Sequence, residues 1–200
     1  FDAGMLYYCP QIWCSDNTDA IERLRIQYGT SFGYPMSSVS AHVSVCPNHQ
    51  NHRVTPFKTR GICAMQGTFG YELDLSKMTD EEKKMAGEQI AFFKEHGRLF
   101  QFGDYYRLTS PFENRDYTVW EYAAQDGSEA CMSVVYTDMY ANAASEIVKW
   151  KGLDPKKVYQ MQLDGEDAGN FSGAALMYAG ILLPLPEQNY DAFQIYLKAE

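Results

Sequence analysis

Apolar and polar positions in the first hundred residues predict alternating strands and helices. Residues 4–14 form a nearly unbroken apolar and aromatic run, typical of a strand buried on both faces of a parallel sheet. A helix follows directly, with Asp19 placed three residues before Glu22 as in a capping box. A β-rich run at 37–46, a polar loop and a possible helix at 58–66 repeat this order. The pattern therefore predicts strand–loop–helix units of an α/β sheet or barrel.

The pattern of residue types along the chain changes after a helix that is predicted from Thr79 to about Gly97. Beyond it, short β-branched and aromatic runs are separated by turn signals, including Asp126-Gly127, which favours a hairpin. Strands at this spacing, with little helix between them, are typical of an antiparallel sandwich. We therefore predict two domains, an α/β domain at 1–100 and a β-sandwich at 101–200. The runs begin near residues 105, 117, 130, 146, 157 and 192.

Composition and charge exclude several classes of partner. The 200 residues are 46% hydrophobic and 22% charged, which fits a globular chain with a substantial core. A net charge of −9 argues against nucleic acid as a partner. The longest apolar stretch, residues 174–185, is interrupted by Gly180 and Pro184 and is shorter than the roughly 20 residues of a membrane span. No nucleic-acid or membrane partner is therefore expected.

The cysteines and the first residues predict the compartment and the completeness of the chain. Five cysteines, an odd number without a C-x-x-C pair, indicate reduced thiols and a cytoplasmic location. The sequence opens on Phe1 rather than Met and shows no signal peptide, so we expect a piece of a longer protein.

The strongest candidate for chemistry is the segment 13–19, which places two carboxylates just past the first predicted strand. In barrel enzymes this strand end is the catalytic face. Asp19 can serve as a helix N-cap, whereas Asp16 has no such local role. Partial desolvation beside Trp13 would favour the protonated carboxyl that a general acid needs at neutral pH. Asp16 is the favoured catalytic residue, Asp19 is its rival, and a solvated turn is the alternative.

Two other groups of residues have both a functional and a structural interpretation. Cys46, His49 and His52 have a spacing that fits zinc, but no fourth ligand is evident nearby. Their alternative is a loop whose polar side chains satisfy backbone groups. Trp120 and Trp150 suit either a sugar-stacking platform or a buried core.

Long stretches of the sequence resemble one enzyme family. The runs FDAGMLYYCPQIWCSDNTDAIERLRIQYGTSFGYPMSSVSAHVSVCPNHQ, TPFKTRGICAMQGTFGYELDL and SGAALMYAGILLPLP are similar to microbial α-galactosidases of glycoside hydrolase family 36. The resemblance covers essentially the whole chain. It implies the last part of a (β/α)8 TIM barrel at 1–100, followed by a C-terminal antiparallel β-sandwich at 101–200. It also implies a retaining glycosidase that acts on α-galactosyl ends of melibiose- and raffinose-type oligosaccharides.

The resemblance implies roles for individual residues. Asp16, in the motif Trp13-Cys14-Ser15-Asp16-Asn17, is the expected acid/base, with Asp19 still its rival. Trp13 and Asp16 are the expected substrate-binding residues. No metal and no organic cofactor are expected, because two carboxylates supply the proton and nucleophile chemistry. A tetramer is expected for the full-length protein.

One essential part of the family pattern is missing from the sequence. Retention needs a second carboxylate about 5–5.5 Å from the first, acting as nucleophile. The family carries it in a Lys-Trp-Asp-type motif, and none of Trp13, Trp120 and Trp150 is followed by Asp. We therefore expect a C-terminal fragment that supplies the acid/base, lacks the nucleophile and is inactive alone. The alternative is a non-catalytic sandwich that binds carbohydrate or mediates assembly.

Overall fold

The computed structural model describes residues 2–142 and 144–200. The chain divides into two compact units, Phe1–Gln101 and Phe102–Glu200. No helix in the described ranges combines the length and the apolar character needed to cross a membrane.

The first unit is built from parallel strands connected through helices. Strands β1 (Ser40–Ser44) and β2 (Thr68–Glu72) pair in parallel, and Ile12 extends the same arrangement through a parallel bridge to Val39. The three parallel positions therefore follow chain order, as they do in successive units of a barrel. Four helices accompany them: α1 (Ala20–Thr30), α2 (Phe57–Ala64), α3 (Asp80–Glu95) and α4 (Gly97–Phe102).

Local signals explain where the predicted helices begin. Asp19 caps α1 by accepting the N–H groups of Ile21 and Glu22 at 3.0 and 2.9 Å. Thr79 and Glu82 form a reciprocal capping box at the start of α3, with both bonds at 3.1 Å. These two helices and α2 confirm the helices predicted from the sequence, within a few residues at their ends.

The prediction of a strand at residues 4–14 is wrong. Residues Ala3–Tyr7 instead form a 3-10 helix, which begins where the Asp2 carboxylate accepts the N–H of Gly4. Pro10 has no N–H to donate to a strand ladder, and of this run only Ile12 pairs. Tyr7 and Tyr8 are 86% and 76% exposed, so the apolar run here does not indicate burial.

The second unit is a six-stranded antiparallel sheet with a smaller layer packed on it. The order in the sheet is β3-β4-β5-β10-β7-β8. A two-stranded pair, β6 with β9, and a π-helical turn at Ala175–Ala179 form the smaller layer. The strand bounds are β3 Asp104–Arg107, β4 Tyr117–Ala123, β5 Glu129–Tyr136, β6 Ile147–Val148, β7 Val158–Leu163, β8 Glu166–Ser172, β9 Ile181–Leu182 and β10 Ala192–Ala199.

The sequence predicts most of these strands. The hairpin between β4 and β5 turns at Asp126-Gly127, where Gly127 has a φ of +65°. The run predicted from residue 146 pairs over two residues only. Strand β8 is missed because its sequence, EDAGNFS, has little β propensity. It forms by pairing with β7 at the edge of the sheet.

The core of the second unit lies between its two layers. Trp150 and Leu176 from the smaller layer share one apolar cluster with Val119, Met132 and Ile195 of the sheet. Trp120 and Trp150 are each 1% exposed, so neither presents a face to a sugar. The buried interpretation of both tryptophans is therefore confirmed.

A carboxyl side chain, that of Glu121, lies on the core face of β4. Glu121 is fully buried, and the alternation of the strand places it on the same face as Val119 and Ala123. Its Oε2 accepts the backbone N–H of Lys151 at 2.8 Å. Within the described ranges, its Oε1 is buried without a hydrogen bond.

Candidate active site

The candidate site is formed by two loops of the first unit. One loop, residues 13–19, follows Ile12, and the other, residues 45–53, follows β1. Because Ile12 and β1 are parallel, both loops leave from the carboxyl ends of their strands and lie at the same edge. This is the edge at which barrel enzymes carry their catalytic residues.

Asp19 is buried and bonded through one carboxylate oxygen only, because Oδ2 has no hydrogen-bond partner within the described ranges. Its side chain is 1% exposed, and Oδ1 accepts the two N–H bonds that cap α1. The Arg53 guanidinium also contacts this oxygen and lies 3.7 Å from the Glu22 carboxylate. The carboxylate of Asp19 therefore holds the start of α1 and joins the two loops.

Asp16 has the opposite environment, because its backbone is bonded and its carboxylate is exposed. The carbonyl oxygen of Asp16 accepts a hydrogen bond from Gln50 Nε2 at 3.1 Å. The preceding carbonyl, of Ser15, accepts one from Arg23 Nη1 at 3.0 Å. The structure gives the Asp16 carboxylate no hydrogen bond within the described ranges. The backbone that carries this carboxylate is therefore held in place, and the carboxylate is available to exchange a proton with a bound molecule.

Arg23 connects the Asp16 loop to the strand behind it. Besides Ser15, the buried guanidinium donates to the Ser40 carbonyl at 2.8 Å and to Gln27 Oε1 at 3.1 Å. Burial lowers the pKa of Arg23 below its ordinary value, and the nearby Cys14 opposes this shift. These bonds anchor the residue before Asp16 to the first residue of β1.

Trp13 presents an aromatic surface at the site. Its ring meets His42 edge-on, with centroids 4.4 Å apart, and is 46% exposed. Burial lowers the pKa of His42, although the Glu72 carboxylate lies 3.2 Å from Nε2 and acts in the opposite direction. When the pH is below this lowered pKa, His42 is charged; when the pH is above it, Trp13 packs against a neutral imidazole. An exposed indole face of this kind suits the apolar face of a sugar ring.

The loop that contains Cys46, His49 and His52 braces the Asp16 loop. His49 and His52 are exposed, and Cys46 Sγ lies 3.6 Å from the Thr55 carbonyl. The described residues contain no group of three His, Cys, Asp or Glu side chains placed to hold a metal ion. Asn48 and Asn51 of this loop accept backbone N–H groups, as the alternative interpretation predicts for its asparagines.

Sequence reasoning missed Asn48 and Gln50, which, like Arg53, reach the Asp16 loop from this loop. Buried Asn48 accepts the N–H groups of Gln50 and Asn51 on Oδ1 and donates to Thr18 Oγ1 at 3.0 Å. Gln50 Oε1 accepts the N–H of Thr18 at 2.9 Å and lies 3.2 Å from Thr18 Oγ1. No local signal identifies these contacts, because their partners are 30 to 34 residues apart in the chain.

Comparisons with known proteins find relatives that match this chain over its whole length. Residues 1–103 match the Melibiase family model, and residues 117–197 match the model of the glycosyl hydrolase family 36 C-terminal domain. The bifunctional α-galactosidase/sucrose kinase AgaSK of Mediterraneibacter gnavus is 52% identical over 97% of this chain. The α-galactosidase AgaA of Geobacillus stearothermophilus is 49% identical over 100% of it.

Solved structures give the same result. The crystal structure of AgaA from Geobacillus stearothermophilus superposes on the full chain with a TM-score of 0.95 at 48% identity. The galactosidase domain of AgaSK superposes with a TM-score of 0.93 at 50% identity. Both superpositions cover 100% of this chain and 27% of the other.

These matches establish the fold class and the family. The chain spans about a quarter of the relatives it matches, 27% of AgaA and 20% of AgaSK, and it matches the C-terminal portion of a glycoside hydrolase family 36 enzyme. The fold class predicted from the sequence, the end of a TIM barrel followed by an antiparallel β-sandwich, is confirmed. The chain belongs to the α-galactosidases of glycoside hydrolase family 36.

Proposed function

We propose that this chain is the C-terminal part of a retaining α-galactosidase, in which Asp16 is the acid/base residue. As acid, Asp16 protonates the glycosidic oxygen of the leaving sugar, and as base it then activates the water that releases galactose. The nucleophile comes from an upstream segment, so the chain alone does not hydrolyse α-galactosides. Trp13, with its exposed indole, packs against the sugar in this proposal.

The contrast between the two aspartates carries this proposal. A residue that alternates between acid and base must reach substrate and gain and lose a proton freely. Asp19 is buried, caps α1 and pairs with Arg53, so its carboxylate is not open to a substrate as that of Asp16 is. Asp16 lies on the same loop with a bonded backbone and an exposed carboxylate. The geometry therefore favours Asp16 over Asp19.

The proposed substrates are terminal α-galactosides of the melibiose and raffinose type. AgaA variants of Geobacillus stearothermophilus have been crystallised with raffinose and with stachyose, and this chain is 48% identical to them over its full length. The five cysteines are free, which supports a reducing cytoplasmic location. Exposed apolar side chains such as Tyr7, Tyr178 and Leu182 support burial in a homo-oligomer, with a tetramer as the expected state of the full-length protein.

Hydrolysis of an activated aryl α-galactoside tests the proposal. The purified chain is compared with the same chain extended upstream to a complete barrel, and only the extended protein is expected to be active. In the extended protein, Asp16→Ala should reduce kcat/KM for melibiose by about 10²- to 10⁴-fold. The loss on an aryl galactoside with a good leaving group should be far smaller, because its departure needs little protonation.

Other results would contradict specific parts of the proposal. Activity of the short chain would mean that it contains its own nucleophile. Equal losses on both substrates after Asp16→Ala would exclude Asp16 as the acid. Sugar binding without turnover in both proteins would favour the non-catalytic sandwich, which the buried Trp120 and Trp150 do not support as a stacking platform.

A further inference from the structure

We propose that Gln50 is a positioning residue for the reaction: its side-chain amide holds the Asp16 backbone so that the Asp16 carboxylate meets the leaving-group oxygen. This inference rests on the proposed acid/base role of Asp16. It assigns a role in catalysis to the loop at 45–53.

One amide group makes all the contacts between Gln50 and the Asp16 loop. Nε2 donates to the Asp16 carbonyl at 3.1 Å, and Oε1 accepts the Thr18 N–H at 2.9 Å. Oε1 also lies 3.2 Å from Thr18 Oγ1. The amide therefore joins the backbone on both sides of Asn17 and fixes the segment that carries Asp16.

The backbone partners determine which way the amide points. The Asp16 carbonyl can only accept and the Thr18 N–H can only donate, so Nε2 must face the first and Oε1 the second. A rotated amide would place two acceptors together at Asp16 and two donors together at Thr18. The side chain thus has a single orientation that satisfies both groups.

Gln50 is itself held in place by Asn48. Asn48 is 5% exposed, and its Oδ1 accepts the Gln50 N–H at 2.9 Å. Asn48 Nδ2 donates to Thr18 Oγ1 at 3.0 Å. The amide of Gln50 therefore extends from a fixed backbone, and both asparagine and glutamine converge on Thr18.

These bonds matter for position more than for stability. Residues 15–18 belong to no helix or strand, so side-chain hydrogen bonds fix their path, local ones to Ser15 and Asn17 together with those of Gln50. The Gln50 bonds lie at the surface, where an individual hydrogen bond contributes little net stability. A displacement of about 1 Å in a catalytic group, in contrast, can cost on the order of 100-fold in rate. Loss of the amide should therefore affect the reaction while leaving the fold intact.

The variant Gln50→Glu tests this in the chain extended upstream to a complete barrel. The new carboxylate keeps acceptors for Thr18 but replaces the donor to the Asp16 carbonyl with a repelling oxygen. His49→Ala is the matched control, because His49 is the exposed neighbour on the same loop. The kcat/KM values for melibiose and for a dinitrophenyl α-galactoside are measured with the Tm of each protein, and Asp16→Ala is measured in parallel.

Gln50→Glu should lower kcat/KM for melibiose by about 10- to 100-fold. On the dinitrophenyl galactoside it should stay within about threefold of the parent, because that leaving group needs little acid assistance. Tm should be unchanged, and His49→Ala should behave as the parent on both substrates. Gln50→Ala should show the same preference for the activated substrate.

The outcomes separate this inference from the proposed function. If Asp16→Ala shows the leaving-group dependence and Gln50→Glu does not, the positioning role is refuted and the acid/base role stands. Equal losses on both substrates for Gln50→Glu also refute it, as a purely structural role would produce them. If Asp16→Ala itself shows no leaving-group dependence, the proposed function fails and the inference fails with it.

Discussion

Glu121 makes the stability of the sandwich unit depend on pH in a direction opposite to that of a carboxylate in an ion pair. Burial in the core face of β4 raises the pKa of Glu121 to about 8, against the opposing effects of the Lys151 N–H bond and the Lys151 charge. Tyr106 and Cys131 are the other titratable groups that interact with it. At neutral pH the folded protein therefore holds Glu121 mainly as a neutral carboxylic acid.

The sign and size of the effect follow from linkage. In the unfolded chain Glu121 ionises near its ordinary pKa of 4.5, whereas in the folded chain it ionises near 8. Between these values the folded state binds one more proton, so the free energy of unfolding falls by about 1.4 kcal/mol per pH unit. Over the whole interval the loss amounts to about 5 kcal/mol, comparable with the total stability of many small domains.

Glu121→Gln removes the titration and keeps an amide oxygen to accept the Lys151 N–H. Urea unfolding from pH 5 to 8 is followed by tryptophan fluorescence in a Trp13→Phe background, where the signal comes from Trp120 and Trp150 of the second unit. We expect the stability of the glutamate protein relative to Glu121→Gln to fall by about 1.4 kcal/mol per pH unit. Glu166→Gln, at an exposed position of β8, is the matched control and should leave the slope as in the parent.

Parallel pH dependences for the parent and Glu121→Gln would refute the reasoning. They would mean that Glu121 ionises in the folded protein as readily as in the unfolded chain. A slope of the opposite sign would mean that Lys151 or another cation dominates over burial.

Three further substitutions test particular contacts. Asp19→Ala should destabilise the first unit by about 1–2 kcal/mol through loss of the α1 cap; an unchanged urea midpoint would contradict the capping role. Gly173→Ala should lower the free energy of unfolding by about 1–3 kcal/mol, because the new Cβ would lie 2.1 Å from the Asp154 carbonyl oxygen. A variant with the thermal stability of the parent would show instead that the turn moves to accommodate the methyl group. Trp150→Ala should lower the free energy of unfolding by about 3–5 kcal/mol, because it leaves a cavity in the core of the second unit. Calorimetry would detect a smaller loss if the two layers collapse onto the cavity.

Sequence patterns predict the elements whose signals are local. The cap at Asp19, the capping box at Thr79 and the turn at Gly127 each depend on residues within a few positions, and all three are found. The run at 4–14 misleads because apolar composition does not reveal whether a neighbouring strand is available to pair with it.

The candidate site is predicted only in part, for a similar reason. The position of Asp16 after a strand end, and the capping role of Asp19, follow from the short segment 13–19. The contacts of Gln50 and Asn48 join loops more than 30 residues apart, and glutamine and asparagine carry no spacing signal of their own. Cysteine and histidine spacing drew attention to this loop as a metal site, whereas the contacts that the structure shows between the loops are made by Asn48, Gln50 and Arg53.

The placement of β10 has a consequence for how the sandwich is made during translation. Strand β10 lies between β5 and β7, with Ile195 opposite Met132 on one side and Leu163 on the other. Until residues 192–199 leave the ribosome, β3–β5 and β7–β8 are separate pieces, each with an unpaired edge that can join other chains. At about 5–20 residues per second, β5 waits seconds for its partner. Nascent chains are therefore most open to aggregation, and to chaperone capture, just before β10 is made.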